Sequence, residues 1–190
     1  DSSSVNTTEV FNTEIQGGTI EVLNDGVFGR GKVYYTRTDK NDQTAALSFG
    51  ENVEIANDIV LSGNTVPLIL GGKSSTLSGR LDGANNNLSE IVLRLKDEST
   101  LTLTNTSVVK DEKGSMSTGL GNTVRSYRLE SGNLVAKVDS FTKKEGDYDL
   151  RYWYSAVGNA NIVNDGDNQL SFILNTDNAD DGLKFSNKLA

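Results

Sequence analysis

Two of the residue types that carry most covalent and metal chemistry are missing: the 190-residue chain has no histidine and no cysteine. Their absence removes Ser-His-Asp and Cys-His nucleophilic catalysis, imidazole or thiolate zinc sites, haem and iron–sulfur ligation, and any disulfide framework. Carboxylates, phenols and a single tryptophan remain. Trp153 alternates with Tyr148, Tyr152 and Tyr154, so in an extended chain it faces away from them. An exposed aromatic of this kind stacks on a pyranose ring, which makes Trp153 a candidate ligand-stacking residue. The competing reading is that both faces of a central strand are simply covered.

The acidic residues invite two further chemistries, and neither is well formed. Asp177-Asn178-Ala179-Asp180-Asp181-Gly182 approaches the opening of an EF-hand loop, but Ala179 takes a ligand position and Lys188 stands where the bidentate glutamate belongs. Asp165-Gly166-Asp167 with Asn168, and Asp39 with Asn41 and Asp42, read as solvated turns. Glu51, Glu54, Glu90 and Asp149 are candidates for a glycosidase carboxylate pair, yet nothing local brings two of them together. The expectation is no catalytic residue, no metal, no cofactor and no enzyme activity. Sequons at Asn6, Asn87 and Asn105 are about what chance predicts for a chain with 20 asparagines, so they carry no information.

The elements that must hold these residues are strands. Tyr148, Leu150, Tyr152, Tyr154 and Ala156 alternate with mostly polar neighbours, and the same period of two recurs at Val33 and Tyr35, Leu101 and Leu103, Leu134 to Val138, and Leu170 to Leu174. Gly, Asn and Asp punctuate the gaps, as in Asn24-Asp25-Gly26, Leu81-Asp82-Gly83 and Ser131-Gly132-Asn133, and read as hairpin turns. Leu88, Ile91, Val92 and Leu95 also fit a helical stripe, so that stretch is ambiguous between a short helix and a strand. No internal repeat of fixed period is visible. Short alternating strands spaced by turn signals predict an antiparallel sandwich or barrel.

Charge and hydropathy bound the partners. The formal net charge is −8, from 26 acidic and 18 basic residues, and the basic ones are scattered, so nucleic acid is not an expected partner. No apolar run approaches the ~18–20 residues of a membrane helix. Serine, threonine and asparagine number 19, 17 and 20, a composition common among secreted β-proteins. The chain begins at Asp1 without methionine, which fits removal of an N-terminal segment, either a tag or an export signal, and the latter goes with the expected extracellular location.

Near the N-terminus, Val5, Thr7, Phe11, Thr13 and Ile15 share one face of an extended chain before Gly17-Gly18 shifts the phase. Such a strand has two homes, as an edge of its own sheet or inserted into a neighbouring molecule. The run Phe11-Asn12-Thr13-Glu14-Ile15-Gln16-Gly17-Gly18-Thr19-Ile20 resembles the donor segment of cysteine-free chaperone–usher fimbrial subunits. Ser62-Gly63-Asn64-Thr65-Val66-Pro67-Leu68-Ile69-Leu70-Gly71 looks like a later segment of the same subunits. The likeness covers the first half of the chain; the C-terminal Asn187-Lys188-Leu189-Ala190 departs from the family's alternating aromatic ending.

That resemblance implies an all-β, immunoglobulin-like antiparallel β-sandwich over 19–190 preceded by a donor extension over 1–18. Val5, Phe11, Thr13 and Ile15 would be the subunit-linking donor residues. The expected function is the repeating subunit of an extracellular pilus-like filament, a homopolymer joined by strand insertion, with an unidentified cell-surface receptor. The alternative is a monomeric secreted binding module for carbohydrate or another cell-surface ligand.

Overall fold

The computed structural model describes residues 10–37, 46–63, 68–70, 73–83, 90–94, 99–158, 160–164 and 169–174. The all-β expectation holds: these residues form strands and no helix, and the ambiguous stretch contributes a strand at Glu90–Arg94.

The strands follow one another around three sheets. A first circuit contributes β1 (Thr13–Ile15) and β2 (Thr19–Val22), and a second β3 (Val33–Arg37), β4 (Ala46–Phe49) and β5 (Glu54–Ile55). The third is β6 (Ile59–Gly63), β7 (Leu68–Leu70) and β8 (Ser74–Leu77); the fourth is β9 (Leu81–Asp82), β10 (Glu90–Arg94) and β11 (Thr100–Leu103). After a separate hairpin, β12 (Val108–Lys110) and β13 (Met116–Thr118), come β14 (Ser126–Ser131), β15 (Asn133–Glu145), β16 (Tyr148–Ser155), β17 (Asn161–Asn164) and β18 (Gln169–Leu174).

One sheet stacks β1-β3-β6-β9, a second β2-β4-β7-β10-β14-β17, and a third β5-β8-β11-β15, to which β16 and β18 both pair. Every pairing among the described residues is parallel except β12 with β13 and β15 with β16. A chain that visits three sheets in a fixed cyclic order, each strand lying parallel on the one a circuit earlier, is a three-sided β-solenoid.

The antiparallel, immunoglobulin-like sandwich is therefore corrected. Alternation reports that one face of a strand is buried, and says nothing about the direction of its neighbour. The turn signals serve as corners instead of hairpins: Gly17-Gly18 turns the chain from the first sheet to the second, with Gly18 at φ 70°, and Gly132 at φ 80° turns it from the second to the third. Leu81-Asp82, read as part of a turn, is itself strand β9. The crossover that parallel strands require is supplied by the other two sheets.

The core is the inside of the coil. Val33, Ile59 and Leu81 stack in register, as do Ile15, Tyr35 and Leu61, and on the third sheet Ile55, Leu77, Leu103 and Ala136; all are buried. Each such valine, leucine or isoleucine contributes about 1.5–3 kcal/mol by leaving water. At the corners, asparagine and aspartate side chains join one circuit to the next. Asn12 accepts from the Lys32 amide at 2.9 Å, Asn57 donates to the Gly29 and Gly31 carbonyls, Asp58 accepts from the Arg80 amide at 3.0 Å, and Asn122 accepts from the Leu81 amide at 2.8 Å. Corner amides that no sheet ladder reaches are thus satisfied.

Strand β1, the centre of the expected donor segment, pairs in parallel with the chain's own β3, Thr13 opposite Val33 and Ile15 opposite Tyr35. Residues 13–15 are thereby hydrogen-bonded into the first sheet of the coil.

Candidate ligand cleft between two hairpins

The first four circuits advance by short steps. Val33 pairs with Ile59 and Ile59 with Leu81, steps of 26 and 22 residues; Leu47 pairs with Ile69 and Ile69 with Leu93, steps of 22 and 24. Then the step lengthens to 36, Leu93 to Leu129, and on the third sheet to 33, Leu103 to Ala136. The additional length is the antiparallel β12–β13 hairpin, and the β15–β16 hairpin lengthens the next circuit in the same way, Leu129 to Asn164 being a step of 35.

Both leave the coil at the same corner, where the chain passes from the third sheet back to the first. The β12–β13 hairpin follows β11, and after it the chain rejoins the first sheet's position, the Thr123 amide donating to the Leu81 carbonyl at 2.9 Å and Val124 entering the core. One circuit on, β15 runs past its coil segment and returns as β16, after which Ala156 and Val157 enter the core and the Ala156 carbonyl accepts from Asn122. Two insertions at one corner of successive circuits lie side by side, and in solenoids such insertions collect on one face.

Local sequence shapes each hairpin. In the first, the Asp111 carboxylate accepts from the Lys113 and Ser115 amides at 2.9 and 2.7 Å, and Gly114 takes φ 85°. In the second, Glu145 pairs with Tyr148 across a two-residue turn whose first residue, Gly146, has φ 63°, as a hairpin of this length favours. At their root, Asp139, buried, accepts from the Thr106 hydroxyl at 2.7 Å and pairs with Lys137 at 3.0 Å, tying β15 to the segment that leads into β12. Charge-assisted bonds of this kind are the stronger class.

Between the hairpins is a cleft of about 450 Å³, within the ~300–1,000 Å³ typical of small-molecule sites. One wall is Met116, Ser117 and Thr118 of β13. The other is one face of the second hairpin, where register places Phe141 opposite Tyr152, Asp139 opposite Tyr154, and Lys143 opposite Leu150. The Phe141 and Tyr154 rings are near-parallel with centroids 5.6 Å apart, and Tyr152 tilts against Phe141 at 6.1 Å.

A polar chain borders these rings. The Tyr152 hydroxyl donates to Glu145, and Lys143 Nζ donates to Glu145 Oε1 at 3.2 Å. The Tyr152 bond, with the Lys143 bond and charge behind it, holds the Glu145 carboxyl below its ordinary pKa, and the same carboxylate raises the Tyr152 phenol. Glu145 is therefore ionised at neutral pH, and Lys143 lies beside it as a counter-charge. The pair is exposed, so it orients groups more than it stabilises the fold.

Trp153 is on this hairpin but on its other face, opposite Ser140, with the Arg151 guanidinium 5.8 Å from its ring centroid. The expected separation of Trp153 from the tyrosine row is correct, and the cleft forms on the tyrosine side. Phe141, Met116 and Thr118 were not among the expected site residues. Phe141 carries a legible signal, since it shares the alternation of Lys143 and Glu145, but nothing in sequence brings β13 to it.

Of the expected linking residues, Ile15 is buried and Thr13 half-buried in β1, whereas Phe11 precedes the strand and is 73% exposed. Val5 lies outside the described residues, as do the acidic runs at 39–42, 165–168 and 177–182. Among the described residues no group of three or more acidic side chains is placed to hold a metal ion. Glu54 accepts from the Ser78 hydroxyl, and Asp149 faces Lys144 across the hairpin.

A second cleft of about 450 Å³ lies at the corner formed by Gly26, Gly29 to Lys32 and Ala56 to Asp58. Its polar groups are the rungs already described, Asn57 and Asp58 bonding neighbouring circuits, so it belongs to the coil. No family model matches the chain, and no curated protein or solved structure matches it.

Proposed function

We propose that the protein is a structural, extracellular β-solenoid whose copies associate end to end into a filament. One observation carries the reading: among the described residues the first circuit leaves strand edges open and exposes a group of large apolar side chains. Strands β1 and β2 end their sheets among the described residues. On the same circuit Val10, Phe11, Leu23 and Val27 are exposed to 54% or more, and they are four of the nine large apolar side chains that the described residues expose. Open parallel edges are templates for further strands, and an apolar rim is what an interface core is made from.

The linkage differs from insertion of a donor strand into a groove. The last circuit of one copy adds to the edges of β1 and β2 of the next, continuing the parallel ladders, and β1 stays in its own sheet. Head meets tail, the contact is heterologous, and it propagates instead of closing. A net charge of −8 on each copy keeps the sides of such filaments apart.

Sedimentation and negative-stain microscopy of the intact chain test this, with the paired substitution Val10→Asp and Phe11→Asp as the probe. Both side chains point to solvent, so the circular-dichroism spectrum should stay unchanged while rods give way to monomer. A native chain that sediments as a 20.4 kDa monomer at every concentration contradicts the proposal.

A further inference from the structure

We propose that the cleft between the β12–β13 and β15–β16 hairpins is a binding site for a neutral oligosaccharide. The remaining five exposed large apolar side chains of the described residues all belong to these hairpins or their immediate flank: Val109, Met116, Leu120, Tyr148 and Leu150. Among the described residues these exposed large apolar side chains thus fall in two places, the first circuit and this corner, and at this corner they flank a concave space on which aromatic and polar groups converge.

The chemistry of the lining selects the ligand. Phe141 and Tyr154 line the cleft as a near-parallel pair, and aromatic rings carry a negative quadrupole charge on their faces that attracts the C–H groups of a pyranose. Thr118, Lys143, Glu145 and the Tyr152 hydroxyl border the rings with acceptors and donors suited to vicinal hydroxyls. Lys143 and Glu145 neutralise each other at 3.2 Å, so the site has no net charge with which to favour an anionic or a cationic ligand. A purely apolar ligand would strip water from Glu145 and Lys143 and offer neither a hydrogen bond in its place. The site is far in sequence from the first circuit, and this inference stands whether or not copies associate.

Isothermal titration and saturation-transfer NMR of the intact chain with cellotetraose, maltotetraose and chitotetraose test it. Binding of at least one is expected, weakened about tenfold or more by Tyr154→Ala. Because loss of Tyr154 also removes packing within the hairpin, Thr118→Trp gives a second test: it fills the cleft from the opposite wall at an exposed position and should abolish binding with the fold intact. Trp153→Ala, on the other hairpin face, should leave binding unchanged. The proposal is overturned by no binding of any of the three at about 10 mM, by binding that survives Thr118→Trp, by binding that depends on Trp153, or by a peptide displacing the sugars as the preferred ligand.

Discussion

Tyr127 stands opposite Ile91 in the second sheet, fully buried, and its hydroxyl meets no hydrogen-bonding partner among the described residues. Burial pushes the phenol well above its ordinary value of 10, because the charged form cannot be solvated there. The consequence for stability has a definite sign. Below pH 10 the group is protonated folded or unfolded and contributes no pH dependence. Above it the unfolded chain loses the proton while the folded chain keeps it, so stability falls as pH rises. Tyr127→Phe removes an unsatisfied hydroxyl without opening a cavity and should leave the melting temperature at pH 7 equal or higher. Above pH 10 the variant should lose less stability than the native chain, and equal losses would show that Tyr127 does not stay protonated. Sequence marks Tyr127 as an aromatic in a polar stretch; its burial depends on circuits above and below that no local pattern reveals.

Among the elements, inward positions were the most legible. The alternations at Val33 and Tyr35, Leu101 and Leu103, and Leu134 to Val138 all mark side chains that face the core. The most regular alternation, Tyr148 to Ala156, is mostly a hairpin strand outside the coil, so regularity of pattern did not rank burial. Strand direction was illegible for a physical reason: Gly, Asn and Asp permit a corner between sheets as readily as a hairpin within one.

Some of those glycines are there for space. A Cβ on Gly79 would overlap the Asn57 carbonyl of the preceding circuit, whereas one on Gly26 would meet open space and pay only for its φ of 71°. Gly79→Ala should cost about 3 kcal/mol and Gly26→Ala about 1–2 kcal/mol, read as denaturation midpoints. Equal costs would mean that circuits do not approach one another at that corner.

For the whole molecule, the asparagine content reads differently once the coil is seen. Twenty asparagines suggested a secreted surface, yet Asn12, Asn57 and Asn122 each bond one circuit to another. The circuits also escaped notice as a repeat because their steps are uneven, from 20 residues between Thr13 and Val33 to 36 between Glu90 and Ser126, and the hairpins account for the longest. A solenoid of this kind has stability that accumulates circuit by circuit, and its ends differ from its middle by having unpaired edges. End-to-end association is the simplest way for identical copies to cover those edges.

Fibre diffraction from aligned native material tests that account most directly. Copies that continue one another's ladders place every strand perpendicular to the filament axis, which predicts a meridional reflection at about 4.8 Å, the spacing of paired strands. Filaments without that reflection, or with it on the equator, would mean that the chain joins its neighbours by some contact other than circuit upon circuit.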